Sequence, residues 1–455
     1  MTDSTQVARA AARPVGARAA LRGGVVGNLV DNVHVFLPVV VLPPVLPLLA
    51  GPAATASTGA VVVMAVLLGR PVGGVVFGRI SDRLGRTHTT RVAILGTALC
   101  ALGIAVVPTH ASIGVAAIGL VVALRVLSGA FVAGEYSAAI PLAMEWSPPR
   151  RRGLMSGLIL SMAPWAQAAI AFGAATLLVV LGPQRYAAWG WRACFAAGAA
   201  ASLGMWLYYR RRVVDAPSSG AQGDELAARR TGLWALVAGD QRSVFWPLFG
   251  LMSGLWLFTN VTVLLLPRRL ATDSGLTPTQ VSVVMGVAAV VQALIMAVAG
   301  HLSTVTGRRA FFVVGGLVGG VAGSLMWVVT TTSRTPVSIA TAAALLQVVT
   351  VCVYGPVAAY LSEHFPAGSR SIGYGSAYSL SIVVPALHPF YLPSLERLLG
   401  HQGAVIGLLV LGGLLVAGCA AGGSRSQAGL LDDSDNLGAP AHVGLGRGMT
   451  VAVRG

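Results

Sequence analysis

Ionisable side chains lie inside long apolar stretches of this sequence. Asp31, Arg125 and Glu135 each lie within such a stretch, and His34 follows Asp31 by three residues. A charge at the centre of a bilayer costs at least ~2.5–3.5 kcal/mol on insertion scales, so each must face a cavity or a partner. Asp31 and His34 share one face of a helix, and both can bind and release a proton. The spacing predicts a proton site; the alternative is that both lie near the helix end and only contact water.

Arg125 carries a planar fork of donors that suits a two-bond grip on a carboxylate. Glu135 lies about 15 Å further along the same helix, so the two cannot pair directly. Arg125 therefore needs Asp31 on another helix, or an anionic solute, as its partner. A purely structural charge pair within the first half of the chain is the alternative. Arg70 precedes a proline that can kink its helix, and we expect a structural role for it.

Two further polar residues are candidates for contact with a bound solute. Gln167 lies in the fifth apolar run, and His388 lies between Pro385 and Pro389 in a stretch that cannot be a regular helix. For Gln167 the alternative is a hydrogen bond between helices. For His388 the alternative is a histidine near the membrane surface that contacts water.

A charged loop bounded by glycines follows the second apolar run. Its residues are Gly78, Asp82, Arg83, Gly85 and Arg86. Asp82 can accept hydrogen bonds from backbone amides at a helix N-terminus, and the arginines can pair with an acid or with lipid headgroups. Such a cluster suits a gate that forms in one conformation and opens in another. The alternative is a solvated loop that only fixes membrane orientation.

A weaker copy of this loop occurs more than two hundred residues later. It consists of Gly300, Gly307, Arg308 and Arg309, with Thr304 in place of the acid. The copy predicts two related halves. The lost acid predicts that the halves do not gate equivalently and that the first half carries most of the coupling.

The composition shows which elements must position these residues. The 455 residues are 55% hydrophobic and only 10% charged, with a mean hydropathy of +0.77, whereas a soluble domain is usually about a quarter charged. The chain is therefore predicted to be an all-α integral membrane protein. Twelve apolar runs can each span a bilayer: 23–48, 57–77, 90–108, 112–136, 153–181, 190–208, 244–266, 278–302, 310–330, 336–360, 371–393 and 402–421.

The arginines predict how the chain is oriented. All 31 basic residues are arginine, most of them in alternate loops, which is the positive-inside pattern of a membrane protein and not a nucleic-acid footprint. Both termini are expected in the cytoplasm. The predicted organisation is a cytoplasmic tail at 1–22, a six-helix bundle at 23–208, a cytoplasmic linker at 209–243, a second six-helix bundle at 244–422 and a disordered cytoplasmic tail at 423–455.

The segment RPVGGVVFGRISDRLGR at 70–86, the central linker and the twelve runs resemble the major facilitator superfamily, and in particular its metabolite:proton symporter branch. The pattern Gly27-Asn28 followed by Asp31, and Glu135 after Ala133-Gly134, are similar to segments of that branch. The resemblance implies two six-helix bundles, alternating access and uptake of solutes such as dicarboxylates, proline or betaine. Asn32 and His34 depart from the pattern of the branch, so its substrate does not carry over.

Motifs for catalysis do not stand out in the sequence. A Walker loop is impossible without lysine, and neither HExxH nor CxxC occurs. We therefore expect no enzyme, cofactor or metal site, and predict proton-coupled uptake of a small carboxylate or zwitterion by a monomer in a bacterial inner membrane. The expected partners are this solute, the proton and membrane lipid, without nucleic acid. The alternative function is proton-driven export of drugs or a secreted metabolite.

Overall fold

The computed structural model describes residues 2–52, 56–215 and 232–423, and its helices follow the apolar runs. The first six long helices are α1 Thr2–Val41, α2 Ala56–Leu84, α3 Arg86–Val106, α4 Ala116–Glu145, α5 Arg152–Arg185 and α6 Trp191–Arg212. The second six are α7 Arg242–Thr259, α8 Pro278–Thr306, α9 Arg308–Thr332, α10 Pro336–Val351, α11 Arg370–Leu380 and α12 His388–Gly422. α7 continues through a wider turn, Asn260–Leu265, to Leu266–Thr272, and α10 continues as Val357–His364.

The predicted fold of twelve membrane helices is confirmed. Ten helical stretches of the described residues are long and apolar enough to cross a membrane. One of these, Pro149–Arg212, contains both α5 and α6. The eleventh run is broken near residue 381 and resumes within α12, which turns at Gly400, where φ is 75°. Two halves of six helices therefore account for the described chain.

The two halves meet along two pairs of helices. α5 packs against α8, and α2 packs against α11. Within the first half, α2 packs on α4, α3 on α6 and α1 on α5; within the second, α9 and α7 pack on α12 and α8 on α10. This arrangement surrounds a space between the halves with helices from both of them.

The helix α1 begins before the first predicted span and ends within it. The segment 1–22, predicted to be a cytoplasmic tail, is helical from Thr2 onward, since alanine-rich sequence favours helix. α1 ends at Val41, because Pro43 and Pro44 follow and form a short 3₁₀ turn. Of the predicted linker and terminal tail, 216–231 and 424–455 lie outside the described residues.

Glycines set the distance between α2 and α4. A Cβ added at Gly73 would lie 2.0 Å from the carbonyl oxygen of Ala130, and one added at Gly129 would lie 2.0 Å from that of Val66. Small residues let helix backbones approach closely in a membrane, where packing rather than hydrophobicity drives association. The α2–α4 crossing therefore tolerates only glycine at these positions.

We expect Gly73→Val to separate α2 from α4 and to destabilise the fold by at least about 1–3 kcal/mol, the usual cost of overpacking. Gly204→Val on α6 is the matched control, because a Cβ there meets nothing within 4 Å. The measurement is the melting temperature of each detergent-purified variant. Equal melting temperatures for the two variants would contradict this account of the crossing.

Candidate functional site

A cavity of about 80 Å³ lies between the two halves. Its lining comes from α1, α2, α4 and α5 of the first half and from α7, α8, α10 and α11 of the second. The space is several times what one water molecule needs, which suits a small solute. The polar and aromatic lining residues are Asn32, Phe36, Arg70, Tyr136, Gln167, Trp256, Thr259, Asn260, Gln292, Tyr354 and Tyr378. The structure thus places Gln167 at the cavity, as one of its hydrogen-bonding groups.

Arg70 supplies the positive charge of this cavity. Its guanidinium carbon lies 4.9 Å from the ring centroid of Tyr136, 5.6 Å from that of Trp256 and 5.9 Å from that of Tyr378. The side chain is buried, and its Nε has no hydrogen-bond partner among the described residues. We expected a structural role for Arg70, and the structure surrounds it with rings while its Nε remains available to an anion.

Asp31 and Glu135 form a buried pair between α1 and α4. Their carboxyl groups lie close enough to interact directly, and the residues are only 2% and 4% exposed. An ionised carboxylate only accepts hydrogen bonds, so a hydrogen bond between the two acids would require a proton on one of them. The sequence indicates these acids only as separate candidates. Their pairing depends on the register between α1 and α4, which the sequence of one helix does not reveal.

Arg125 contacts the backbone of α1. It donates to the carbonyl oxygen of His34 at 2.7 Å and to that of Val35 at 3.4 Å. In a regular helix the His34 carbonyl would accept from residue 38, but Pro38 has no N–H. Arg125 therefore satisfies an acceptor that the proline leaves unpaired. The expected contact of Arg125 with Asp31 is absent from the described hydrogen bonds and ion pairs.

His34 also points away from the acid pair. Its Nε2 lies 2.7 Å from the hydroxyl of Ser202 on α6, and the side chain is buried there. The structure thus gives Asp31 and His34 different partners, although they share one helix. The ring of His34 fixes α1 against α6.

A second cavity of about 530 Å³ adjoins the first, since Val39, Val63, Leu67, Asn260 and Leu264 line both. We call it the vestibule, and it lies toward the end of the bundle opposite the glycine-bounded loops. His388 lines it and is mostly buried, with Nδ1 3.3 Å from the carbonyl oxygen of Pro385. The second cavity provides a route from that end to the central one.

A charged cluster forms one wall of the vestibule. Arg269 pairs with Glu396 and, at 3.6 Å, with Asp273, and His401 lies 2.9 Å from Asp273. Burial acts to raise the pKa of Asp273, but hydrogen bonds from Thr272 and His401 and the charge of Arg269 outweigh it and leave that pKa below its usual value. Asp273 therefore stays ionised near neutral pH and holds the end of α7 to α12.

The opposite end of the bundle, which we call the motif end, is closed by Asp82. Its carboxylate accepts from the backbone N–H of Ser371 at 3.0 Å and of Ile372 at 2.9 Å. These amides belong to the first turn of α11, where free N–H groups and the helix dipole favour a negative charge. Gly78 allows this approach, because a Cβ there would lie 2.7 Å from the Cα of Ile372. Gly85 turns the chain with φ of 94°.

Glu145 at the C-terminus of α4 joins the two halves at the same end. It pairs with Arg86 at 2.6 Å and with Arg370 of the second half. All three side chains are almost completely buried. Arg83 is exposed at the end of α2. The motif residues thus act together with an acid and an arginine that lie outside the loop.

The second copy of the loop closes differently. Gly307 repeats the turn with φ of 85°, and Arg309 donates to the carbonyl of Ala421. Thr304 faces the first turn of α5, but its buried hydroxyl has no hydrogen-bond partner among the described residues. Instead, Gly300 contacts α5 directly, and a Cβ there would lie 2.4 Å from the carbonyl oxygen of Gly153. The acid contact of the first copy therefore has no counterpart in the second.

Arg308 holds an acid at the motif end, as Arg86 does. It binds Glu363 with two hydrogen bonds, of 2.5 and 2.6 Å. Arg152 of the first half lies 3.9 Å from the same acid. Each half therefore contributes one buried acid that contacts an arginine of the other half.

The family model described as the Major Facilitator Superfamily matches residues 34–389 of the chain. The chain belongs to the Major Facilitator Superfamily. The resemblance drawn from the loop motif is thereby confirmed.

Among solved structures, the superfamily fold is shared with the proton:xylose symporter XylE bound to 6-bromo-6-deoxy-D-glucose. The match has a TM-score of 0.72 and 16% identity, over 91% of this chain and 99% of that one. The human organic anion transporter MFSD10 matches at a TM-score of 0.65 and 16% identity, over 88% and 99%.

Bacterial transporters are among the curated relatives of the chain. The glycine betaine/proline/ectoine/pipecolic acid transporter OusA of Dickeya dadantii is 27% identical over 335 residues, which cover 70% of this chain and 65% of OusA. The proline/betaine transporter of Salmonella typhimurium is 27% identical over 330 residues, with the same coverage. A putative proline/betaine transporter of Staphylococcus haemolyticus is 38% identical over 163 residues, 35% of this chain and 34% of that protein. The chain thus spans about 65% of the length of the first two relatives.

In this superfamily member we expect Asp82→Asn to loosen the first turn of α11. A hydrogen bond to a charged group is worth about 1.5–3 kcal/mol, so the amides of Ser371 and Ile372 should exchange with solvent about tenfold faster. The measurement is hydrogen exchange read by mass spectrometry. Thr304→Val is the matched control in the second copy and should leave these amides unchanged. Unaltered exchange in Asp82→Asn would contradict the assigned contact.

Proposed function

We propose that the chain is a secondary active transporter that takes up a small zwitterion or carboxylate together with protons. The observation that carries the proposal is the position of Arg70 in a cavity enclosed by helices from both halves, among which α1 and α4 hold the neighbouring acids Asp31 and Glu135. A cation for the solute and a shared proton thus lie on neighbouring helices. The names of the curated relatives, proline/betaine transporters, support this solute class.

The cavity provides both halves of a zwitterion site. Arg70 would bind the carboxylate, the role that the sequence suggested for Arg125. The rings of Trp256, Tyr354 and Tyr378 face the same space and suit an ammonium group. Gln167 would add a hydrogen bond. A volume of about 80 Å³ favours such a solute over a bulky drug.

The acid pair would carry the proton. When both Asp31 and Glu135 are ionised, two like charges lie together away from water, which is unfavourable. Protonation removes that repulsion and can drive the change between states. His34 and Arg125 would hold α1 in place during this step, and His388 would meet the solute in the vestibule.

Alternating access follows from the two ends of the bundle. The motif end is held shut by Asp82 and by the acids Glu145 and Glu363, whereas the vestibule adjoins the central cavity at the other end. In this proposal, the state described above is the one that is open toward the vestibule end. Transport would break the motif-end contacts and close the vestibule, with no covalent chemistry.

We further propose that the motif end and both chain termini lie in the cytoplasm, as the arginine distribution predicts. The bundles at 23–208 and 244–422 would move against each other around the linker at 209–243. Bacterial relatives support an inner-membrane location. A monomer in contact with membrane lipid is the expected unit.

The test is uptake of radiolabelled glycine betaine and proline by proteoliposomes under an inward proton gradient. The purified protein should accumulate solute only with the gradient. Asp31→Asn should abolish accumulation but retain exchange of solute across the membrane, because binding survives without proton coupling. Arg70→Gln should raise KM at least tenfold, since it removes a charged hydrogen bond. Gln280→Ala, at the exposed start of α8, is the control and should behave as the wild type.

Three results would contradict the proposal. Accumulation that ignores the gradient would exclude proton symport. If vesicles accumulate solute only when the proton gradient is directed out of the vesicle, the alternative function, proton-driven export, is favoured. Normal uptake by Arg70→Gln would exclude the assigned carboxylate site.

A further inference from the structure

A second set of hydrogen bonds joins α1 to α4 beside the acid pair. The amide of Asn32 donates to the hydroxyl oxygen of Tyr136 at 2.7 Å, and that hydroxyl donates to Oδ1 of Asn28 at 2.8 Å. Asn28 in turn donates to the carbonyl oxygen of Ile159 on α5 at 2.8 Å. All four residues are buried. The tyrosine hydroxyl is thus held on both sides by groups that are themselves fixed.

Two residues of this set are sequence neighbours of the two acids. Asn32 follows Asp31 in α1, and Tyr136 follows Glu135 in α4. Asn32 and Tyr136 line the central cavity, whereas the two acids do not. The amide–phenol contact is therefore the connection between the acids and the cavity wall.

The ring of Tyr136 belongs to the solute side. Arg70 lies over it at 4.9 Å, and it stacks on Tyr378 from the second half with ring centroids 5.2 Å apart and an interplanar angle of 30°. A displacement of Tyr136 must therefore change the position of Arg70 and the contact between the halves.

We propose that Tyr136, held by Asn28 and Asn32, is the positioning residue that transmits the protonation state of Asp31 and Glu135 to the solute site at Arg70. The inference rests on the proposed function for the identity of that site. Loss of the shared proton makes the two acids repel each other. α1 and α4 then move apart, the hydroxyl of Tyr136 loses its partners, and its ring shifts under Arg70.

The other charged or titratable groups near this contact do not replace the acids in this role. Arg70 from α2 stays positively charged, because guanidinium does not lose its proton in proteins. Tyr378 from α11 and Tyr209 from α6, whose hydroxyl approaches α1 at Gly23, are neutral near neutral pH. His34 is directed to α6. Within the part of the chain that the structure describes, only the acid pair changes its charge next to Tyr136.

The test uses the fluorescence of Trp256, whose ring contacts Arg70, Tyr354 and Tyr378. The emission of Trp256 is obtained by subtracting the fluorescence of Trp256→Phe from that of the wild-type protein. This difference is followed as a function of pH without added solute. We expect a pH-dependent change in the wild type that is lost in Asp31→Asn. Tyr136→Phe keeps the ring but removes the hydroxyl, and should lose the change as well.

Tyr374→Phe is the matched control, because it removes another buried hydroxyl, one with no hydrogen-bond partner among the described residues. Its ring also stacks on Tyr378, at 5.8 Å. This variant should keep the wild-type amplitude and midpoint. Asn32→Ala is a second disruption that should match Tyr136→Phe. Melting temperatures show that each variant is folded, so that loss of the fluorescence change is not loss of structure.

A wild-type pH response in Tyr136→Phe, or the absence of any response in the wild type, would overturn the inference. Uptake of glycine betaine by the same preparations separates this result from the proposed function. If the wild type shows the fluorescence response but takes up no betaine, the solute assignment fails and the role of Tyr136 stands. If uptake is proton-driven and Tyr136→Phe leaves both its pH profile and the fluorescence unchanged, the proposed function stands and the inference fails.

Discussion

Water is absent from the middle of a membrane, so every polar group there needs a partner within the protein. That constraint explains the partners found in the first half. Pro38 leaves the carbonyl of His34 without an N–H, and Arg125 supplies the missing donor. Asp31 and Glu135 lie against each other, and in the proposed function they share a proton. Arg70 differs from these groups in its place, since it lies among aromatic rings at the central cavity and its Nε has no partner among the described residues. The unmet donor marks the position where a solute is expected.

The two copies of the loop at the motif end show how one motif can be kept in unequal forms. In the first copy, Asp82 binds free amides at the start of α11, which depends on a negative charge. In the second copy, the same position is Thr304, and helix contact through Gly300 replaces the charge. A contact between charged groups can be broken by movement or protonation, whereas close helix packing must slide. The first copy therefore depends on the charge of Asp82 itself, whereas the charged contact beside the second copy is the one between Arg308 and Glu363.

Much of this architecture could be predicted from the sequence, because hydrophobic runs and arginine-rich loops are local patterns. The role of Asp82 could also be predicted, since a carboxylate in a charged loop motif can accept hydrogen bonds from free amides at a helix N-terminus. The partner of Arg125 had a readable signal, because Pro38 stands four residues after His34. The pairing of Asp31 with Glu135 had none, since it depends on the register between α1 and α4. The place of Arg70 likewise depends on rings from three different helices, which only the fold brings together.

The contact of Arg125 with the backbone of α1 has a mechanical consequence. It fixes α1 to α4 at His34 and Val35, only one helical turn beyond Asp31. Repulsion between the acids then acts just beside a fixed point, so α1 cannot move away from α4 as a whole. The motion that remains is a tilt about a pivot at Arg125. Because a tilt grows with distance from its pivot, a displacement of a fraction of an ångström at the acids becomes a much larger one at the motif end of α1.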